Sequence, residues 1–394
     1  MAKESSSNGL EKRPKLRFPG FHEPYKKCRI GDIYAERSQR GASDMELLSV
    51  TMNDGVMPRS EIEGKDNSSE DKSNYKVVLT GDMVYNSMRM WQGANGIAPC
   101  DGIVSPAYTV LMPKIPISNG YFAALFKSTN LINEFRKNSQ GMTSDTWNLK
   151  YPQIETIKVC IPTLSEQERI ADMLGTLEQR IAKQAQLVDS LKKYKRGAID
   201  GLLSRKLHFQ TTSSWREVKI SELFSPISEK GYVNLTVLTI VQGVGTQPRE
   251  SVERRISYDK SNTNTYKRVL ENDFILHLRS FEGGLEIANS EGIVSPAYTI
   301  LRTKEQIIPL FYYVYFRSYW FISNKLRIAV EGIRDGKSIN METFWNIVVP
   351  YPPIEEQKHI AEYLLCLDTK LKKAEAILDR LKAIKKGFSQ QLFI

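Results

Sequence analysis

The sequence contains little cysteine and little histidine, and neither is clustered. Only 4 cysteines and 4 histidines occur among the 394 residues. The cysteines form no CxxC pair and have no histidine cluster near them; they are Cys28, Cys100, Cys160 and Cys366. This spacing predicts neither a zinc site nor a disulfide framework. Isolated thiols of this kind fit a reducing compartment, so we expect a cytoplasmic protein.

Long apolar segments are also missing. The longest apolar run, IIPLFYYVYF from Ile307 to Phe316, is shorter than the roughly 20 residues that a membrane-spanning helix requires. The first residues, MAKESSSNGLEKRPK, are polar and lack the apolar core of a signal peptide. We therefore expect no membrane partner, and we interpret the run at 307–316 as a buried helix or strand.

No catalytic signature is recognisable. We find no GxGxxG, no (D/N)PP(Y/F) methyltransferase tetrapeptide and no HExxH. The segment Gly332–Ser338 is one residue short of the GxxxxGK(S/T) phosphate loop, and its counterpart near Gly141 has no lysine. We predict no nucleotide site, no catalytic residue and no metal site in this chain. At 332–338, a basic turn that contacts DNA phosphates through Arg334 and Lys337 and an ordinary solvated loop remain open alternatives.

The charge balance is basic, with 55 Lys and Arg against 45 Asp and Glu, which gives a net charge of +10. Such an excess favours a polyanionic partner such as nucleic acid, but many proteins carry it for solubility alone. The charge therefore needs support from the organisation of the chain.

A repeat of about 190 residues organises the whole chain. The octapeptide GIVSPAYT occurs at Gly102–Thr109 and again at Gly292–Thr299. Other segments recur in the same order: Pro58-Arg59 and Pro248-Arg249, YKVVLTGD and YKRVLEND, IPTLSEQERIADML and YPPIEEQKHIAEYL, KLRF and KLHF. Internal repeats outrank local motifs as an organising signal, so the chain is two diverged copies of one unit.

Each copy is predicted to be a mixed α/β (α+β) domain followed by one long helix. Short β-rich runs with Gly, Asn and Pro turns fill the first part, and the second part has neither Pro nor turn clusters. The predicted segments are an N-terminal segment 1–24, domain 25–164, helix 165–208, domain 209–354 and helix 355–394.

Both long helices carry an apolar series with alternating steps of four and three, which is typical of a coiled-coil seam. Gln184, Lys195 and Ala198 interrupt the first series, and Lys385 interrupts the second. The predicted seam consists of Ile170, Leu174, Leu177, Ile181, Val188, Leu191, Ile360, Leu364, Leu367, Leu371, Leu378 and Leu381. The alternative is two amphipathic helices that pack separately, each onto its own domain.

Matched registers favour antiparallel pairing of the two helices about a pseudo-two-fold axis, with the domains at opposite ends. About 40 residues at about 1.5 Å each give a spacer of about 60 Å. Two related but non-identical domains at a fixed distance suit duplex DNA, whose groove repeats roughly every 34 Å. Two diverged copies would read two different half-sites.

This layout resembles the specificity subunit of type I restriction-modification systems, over nearly the full length. The resemblance is carried by KLRFPGF at Lys15–Phe21, the helix entries IPTLSEQERIA and YPPIEEQKHIA, and the repeated GIVSPAYT. It implies two target-recognition domains alternating with two helices that form an antiparallel coiled coil. It also implies a subunit without catalysis of its own, which selects a bipartite sequence in double-stranded DNA and holds two adenine methyltransferase subunits. Restriction and translocase subunits can also attach. S-adenosylmethionine would bind to the methyltransferase partner, and ATP and Mg would serve the nuclease partner.

Residues kept in both copies cannot distinguish two half-sites, so they should form scaffold or contact the DNA backbone. We interpret GIVSPAYT as a scaffold strand, with a phosphate contact from Tyr108 or Tyr298 as the alternative. The loops 36–74 and 225–264 differ most between the copies and are the natural places for groove contacts. Their candidate DNA-binding residues are Arg37, Arg40, Arg59, Arg249, Arg254, Arg255 and Lys260. A solvated charged loop is the alternative that would explain any one of them equally well.

A second candidate is the segment Arg89-Met-Trp91-Gln92-Gly93, which corresponds to Arg279-Ser-Phe281-Glu282-Gly283. The arginines could bind phosphate. A glutamine suits adenine and a glutamate accepts from cytosine, so the change from Gln92 to Glu282 would alter base readout. The alternative is a surface turn in which Trp91 and Phe281 are core anchors.

Two other functional classes remain open. A scaffold could join protein partners through the coiled coil without contacting DNA, and an enzyme could act on nucleic acid directly. The first would show no sequence preference, and the second would require turnover by the chain alone.

Overall fold

The chain folds into two units that follow the sequence repeat. The computed structural model describes residues 14–41, 44–52, 54–66, 68–143, 146–209, 214–252, 260–277, 283–332 and 337–393. The first unit contains the described residues up to Gln186 and those from Ala376 onward, and the second contains Leu187–Glu375. Each unit therefore combines one mixed α/β domain with a part of each long helix.

The first unit alternates short strands with helices. Its strands are β1 (Lys26–Arg29), β2 (Tyr34–Glu36), β3 (Leu48–Val50), β4 (Val56–Pro58), β5 (Lys76–Val78), β6 (Met83–Asn86), β7 (Asn95–Ile97), β8 (Gly102–Val104), β9 (Tyr108–Pro113) and β10 (Lys158–Ile161). Its helices are α1 (Ile30–Ile33), α2 (Asn119–Phe126), α3 (Thr129–Asn138), α4 (Tyr151–Ile154) and the long α5 (Leu164–Leu203), whose last turns belong to the second unit.

An antiparallel sheet with the strand order β2-β9-β6-β7 forms the centre of the first unit. Successive side chains of a strand point to opposite faces. Met83 and Tyr85 of β6 accordingly pack with the aromatic residues of α2, while Val84 packs in a smaller cluster with Val110. The sheet is thus buried on both faces.

The repeated octapeptide forms a strand, a turn and the start of the next strand. In the first unit Gly102–Val104 is β8, residues 105–107 form the turn, and Tyr108 begins β9. Strand β8 pairs with β5, and β9 lies in the central sheet. Because β8 is fully buried and β9 largely so, the octapeptide's two strands serve as scaffold.

The second unit repeats this arrangement. Its strands are β11 (Arg216–Lys219), β12 (Phe224–Ile227), β13 (Leu238–Val241), β14 (Gly245–Pro248), β15 (Lys267–Val269), β16 (Phe274–His277), β17 (Glu286–Ile287), β18 (Gly292–Val294), β19 (Tyr298–Thr303), β20 (Val330–Glu331), β21 (Ser338–Ile339) and β22 (Val348–Tyr351). Its helices are α6 (Ile220–Leu223), α7 (Pro309–Phe316), α8 (Met341–Trp345) and the long α9 (Ile354–Leu392), whose last turns belong to the first unit. The sheet order β12-β19-β16-β17 matches that of the first unit.

The longest apolar run of the sequence contributes helix α7. Its side chains Phe311, Tyr312, Tyr315 and Phe316 are buried against the central sheet of the second unit. Among the helices in the described ranges, none is long and apolar enough to cross a membrane.

A buried glutamine fixes the start of each long helix to its own domain. In the first unit the Gln167 amide donates to the carbonyl of Pro162 at 3.0 Å and accepts from the amide of Ser118 at 3.1 Å. In the second unit Gln357 donates to Pro352 at 2.8 Å and accepts from Ile308 at 2.9 Å. These bonds explain why the glutamine recurs in both helix entries.

The two long helices pack together and run antiparallel, as predicted. In the second unit Lys192 pairs with Glu375 at 2.9 Å, Lys195 pairs with Asp368, and the hydroxyls of Tyr194 and Tyr363 are 2.8 Å apart. In the first unit Lys385 pairs with Glu178 at 2.6 Å. Lys195 and Lys385 are two of the interruptions in the apolar series, and each binds a carboxylate of the facing helix.

The predicted seam residues are all buried or half-buried. Several of them also pack into a domain core. Ile170 and Leu174 share a cluster with the first domain, and Ile360, Leu364 and Leu367 share one with the second. The start of each helix therefore packs against its own domain as well, but the helices do not pack separately as in the alternative, because they also pair with each other. The helices begin at Leu164 and Ile354, one residue before the predicted starts.

Candidate nucleic-acid interface

Arg37, a predicted DNA contact, binds a carboxylate of its own unit. Its Nε and Nη2 donate to Asp82 at 2.6 and 3.2 Å. The Asp82 side chain is 3% exposed, and it also accepts from the backbone amide of Leu79 at 2.9 Å. A guanidinium that neutralises a buried carboxylate has little capacity left for a phosphate, so this geometry favours a structural role for Arg37.

The second unit forms the same ion pair with an arginine from another strand. Asp273 accepts from Leu270, as Asp82 accepts from Leu79, but its cation is Arg302 of β19. The hydrogen bonds that Arg302 donates to Asp273 and to Glu229 raise the pKa of Arg302, against the opposing effect of burial. Both units thus keep the buried aspartate and supply its cation from a different position.

Arg59, in the repeated Pro-Arg pair, holds the variable loop that follows it. Its guanidinium donates to the carbonyls of Ile62, Gly64 and Lys65 at 2.6 to 3.0 Å. Asp66 lies 3.6 Å from its Nε, and hydrogen bonds from Ser68 lower the pKa of Asp66. Arg59 therefore shapes the loop from within.

The arginines of the two Pro-Arg pairs line equivalent cavities. Arg59 borders a cavity of about 410 Å³ in the first unit, together with Leu47 and Tyr75. Arg249 borders one of about 380 Å³ in the second, together with Val237 and Pro248. Sequence reasoning did not predict these cavities, because their walls come from residues of several strands and loops that only folding brings together.

Arg40 and Lys337 are exposed at the surface. Arg40 forms a backbone bridge with Lys76, and its side chain makes no hydrogen bond or ion pair with the part of the chain that the structure describes. Lys337 precedes β21. Ser338, the last residue of the incomplete loop pattern, lies in a strand and not at the helix N-terminus where a phosphate loop would place it.

Arg89, Trp91 and Gln92 lie together on one short turn. The Arg89 Nη1 donates to the Gln92 amide oxygen at 3.3 Å, and the Trp91 indole donates to the carbonyl of Met88 at 3.1 Å. Arg89 is exposed, whereas Trp91 and Gln92 are half-buried. The turn presents a cation and an amide to solvent, as base and phosphate contacts require.

Five predicted DNA-binding residues lie outside the described residues. They are Arg254, Arg255, Arg279, Glu282 and Arg334. Within the described ranges, no group of three or more His, Cys, Asp or Glu side chains could hold a metal ion.

The sequence profile of the type I restriction-modification DNA specificity domain matches residues 23–193 and 213–383. The chain belongs to this family. The putative type I restriction enzyme MjaX specificity subunit of Methanocaldococcus jannaschii is 20% identical over 342 residues, 77% of this chain and 75% of that protein. The EcoKI specificity subunit of Escherichia coli is 24% identical over 282 residues, 64% of this chain and 59% of that protein.

Solved structures share the fold. The HsdS subunit from Thermoanaerobacter tengcongensis matches with a TM-score of 0.53 at 15% identity, over 96% of both chains. The type I restriction-modification S subunit from M. genitalium matches with a TM-score of 0.57 at 15% identity, over 97% of this chain and 99% of that chain.

The predicted fold class, family and functional class are therefore confirmed. The chain is a type I specificity subunit with two target-recognition domains, and such subunits are the non-catalytic component of the methyltransferase and restriction complex. Membership in this complex implies DNA and the methyltransferase and restriction subunits as partners.

In this specificity subunit, the first domain adds aromatic and basic residues that sequence reasoning missed. Trp147 lies edge-on to Trp91, with ring centroids 5.1 Å apart, and the Arg136 guanidinium lies 5.4 Å from the Trp147 ring. Trp91 and Trp147 are far apart in the sequence and are brought together only by folding. The tryptophans could have been suspected from their rarity, since only 5 occur in the chain.

Proposed function

We propose that each target-recognition domain reads one half of a bipartite, asymmetric DNA site. Duplication of the scaffold with divergence of the loops is the observation that carries the proposal. The sheet order is the same in both units. The loops 36–74 and 225–264, by contrast, share few residues. Equal scaffolds with unequal loops suit two different base sequences on one duplex.

The paired long helices would set the spacing between the half-sites and would carry two methyltransferase subunits. The equivalent pairs Lys195–Asp368 and Lys385–Glu178 support this role, since a twice-repeated contact fixes the register of the helices. Restriction subunits would join the same assembly. S-adenosylmethionine would then be bound by the methyltransferase subunits, and ATP and Mg by the restriction subunits.

Within the first domain, the turn at Arg89–Gln92 is our candidate for base readout. Adenine is read through a donor and an acceptor of one amide. The oxygen of the Gln92 amide already accepts from Arg89. Binding of adenine would therefore require Arg89 to share or release this oxygen, and the released guanidinium would be free to bind phosphate.

The experiment is a binding assay with the purified chain and its methyltransferase partner. Duplexes from a randomised pool are selected and sequenced, and the recovered site should be bipartite and asymmetric. The same selection with Gln92→Ala should relax preference at positions of one half-site only. The exposed residue Asn130 provides a matched control, and Asn130→Ala should select the wild-type site. A complex without sequence preference would favour the protein scaffold, and equal loss for all sequences would remove Gln92 from base readout.

A further inference from the structure

The turn of the repeated octapeptide is more exposed than its two strands. Pro106 and Ala107 of the first unit are exposed, and so are Pro296 and Ala297 of the second. Exposed residues usually diverge between copies unless a contact requires them to stay the same. An exposed pair that is identical in both units therefore requires a reason, either inside each unit or in a partner that meets both.

Contacts inside each unit account for the residues around this pair. The Ser105 hydroxyl accepts from the Ala107 amide at 3.4 Å, and Ser295 and Ala297 repeat this bond at 3.4 Å. Lys76 Nζ donates to the carbonyl of Tyr108 at 2.8 Å, and its counterpart Lys267 donates to that of Tyr298 at 2.6 Å. The serine, the lysine and the tyrosine backbone thus have structural roles.

The same contacts do not account for the alanine. Proline suits the second position of a β-turn, where its fixed φ is favourable, but the third position accepts most residues. By contrast, the exposed lysine that is identical in both units does have an internal role. Lys114 donates to the carbonyl of Gly31 and Lys304 to that of Ser221.

The chemistry of the two tips does not suit a phosphate. A phosphate contact needs a cation or a free N–H or O–H donor. Proline has no N–H, the alanine amide donates to serine, and the lysine beside the turn donates to a carbonyl, so the Pro-Ala pair itself offers no donor. Lys150 lines a cavity next to the first turn, but Asn340 takes its place in the second unit and donates to Glu331 at 2.7 Å. Each tip therefore offers a small, uncharged, apolar surface.

We propose that the Pro-Ala tips are docking points for the methyltransferase subunits, one tip for each subunit, which each subunit must contact together with the paired long helices. This inference rests on the proposed function, in which two identical methyltransferase subunits meet one chain. A surface that occurs in both units matches a partner that binds as two identical subunits. An exposed Pro-Ala pair that has no donor of its own matches a shallow apolar depression on a protein, and small side chains there permit close approach.

The test introduces opposite charges at the alanine. Ala107→Glu and Ala107→Arg in the first unit, and Ala297→Glu and Ala297→Arg in the second, should each weaken one methyltransferase site about tenfold or more. Mass measurement of the assembled complex at fixed concentration should show two partner subunits with wild type, one with a single variant and none with Ala107→Arg/Ala297→Arg. Asn130→Arg and Gln306→Arg are exposed control substitutions and should leave two.

The alternative partner is the DNA backbone. The glutamate and arginine variants distinguish this partner from the methyltransferase subunits. If the tips face phosphates, the glutamate variants should weaken DNA binding and the arginine variants should strengthen it, while both keep two methyltransferase subunits. That result overturns the proposal, as does full partner binding with unchanged DNA affinity. Thermal melting checks that each variant folds. Pro106→Ala keeps the turn uncharged and should therefore lose less partner affinity than the charged variants of Ala107. Wild-type chain that binds no methyltransferase would instead contradict the proposed function itself.

Discussion

Arg302 binds the buried carboxylate of Asp273 through two nitrogens, with Nε to Oδ1 at 2.9 Å and Nη2 to Oδ2 at 2.7 Å. In the first unit Arg37 binds Asp82 in the same way, although the residue equivalent to Arg302 there is Met112. Evolution of the two copies has kept the carboxylate and moved its cation to the neighbouring strand. The pair is therefore part of the scaffold in both units.

Removal of either arginine should destabilise its unit. Arg37→Ala or Arg302→Ala leaves a buried carboxylate without its cation, which should cost about 3 kcal/mol of unfolding free energy. Urea unfolding of the full chain measures this loss. The second unit suggests a rescue: Arg37→Ala/Met112→Arg places the cation on the neighbouring strand and should recover much of the loss. A double variant no more stable than Arg37→Ala would show that the two positions are not interchangeable.

Glu229 should contribute a pH-dependent increment of stability. The hydrogen bond from Arg302 to Glu229, 2.7 Å long, is the main cause that lowers the pKa of this carboxyl. A lowered pKa in the folded state means that the contribution is present above the unfolded pKa of about 4.3 and is lost as the pH falls below it. The melting temperatures of wild type and Glu229→Gln should therefore differ at pH 7 and converge in acid, once the pH has fallen through the lowered folded-state pKa of Glu229.

The matched control for this carboxyl is Glu250→Gln, an exposed position of the same unit. Its melting temperature should follow wild type at pH 7 and in acid. A Glu229→Gln difference that persists unchanged in acid would mean that packing, rather than charge, explains it.

Arg40 and Arg37 should behave differently toward DNA although they are close in sequence. Arg40 is exposed, whereas Arg37 is bound to Asp82. If Arg40 contacts a phosphate, Arg40→Ala should reduce the slope of log affinity against log salt by about 1. Arg37→Lys, which keeps the charge but loses the two-nitrogen geometry, should leave that slope unchanged. Filter binding of the assembled complex at several salt concentrations measures both, and an unchanged slope for Arg40→Ala would remove it from the interface.

Two glycines of helix α5 should respond to alanine in opposite directions. A Cβ at Gly197 would meet no atom within 4 Å, so Gly197→Ala should stabilise the chain by about 1 kcal/mol through helix propensity. A Cβ at Gly201 would lie 2.6 Å from the Leu207 side chain, and Gly201→Ala should therefore destabilise it. Urea unfolding compares the two variants. Stabilisation by both would mean that Leu207 moves aside without cost.

The sequence predicted the architecture well because duplication tests each pattern twice. Heptad spacing in both helices predicted their pairing, and even the interruptions at Lys195 and Lys385 proved to be ion pairs. The run at 307–316 became the buried helix α7 because apolar side chains on every face require burial. These signals are local periodicities, which a single sequence shows directly.

The candidate interface was much harder to predict. Composition cannot tell an arginine that binds DNA from one that neutralises its own domain, and Arg37 and Arg59 are engaged inside their unit. Their partners Asp82 and the loop carbonyls are brought near only by folding. Trp147 reaches Trp91 through a long-range contact of the same kind. Such tertiary pairings have no periodic signature in the sequence.

The buried glutamines at the start of the long helices have a practical consequence for hybrid proteins. Gln167 accepts from the backbone amide of Ser118, just before α2, and Gln357 accepts from that of Ile308, just before α7. A crossover placed at the proline before the long helix would take the glutamine from one parent protein. The proline carbonyl and the backbone amide that the glutamine side chain binds would come from the other parent. Chimaeras that exchange one recognition module should therefore carry the first two turns of the following helix with the module they import.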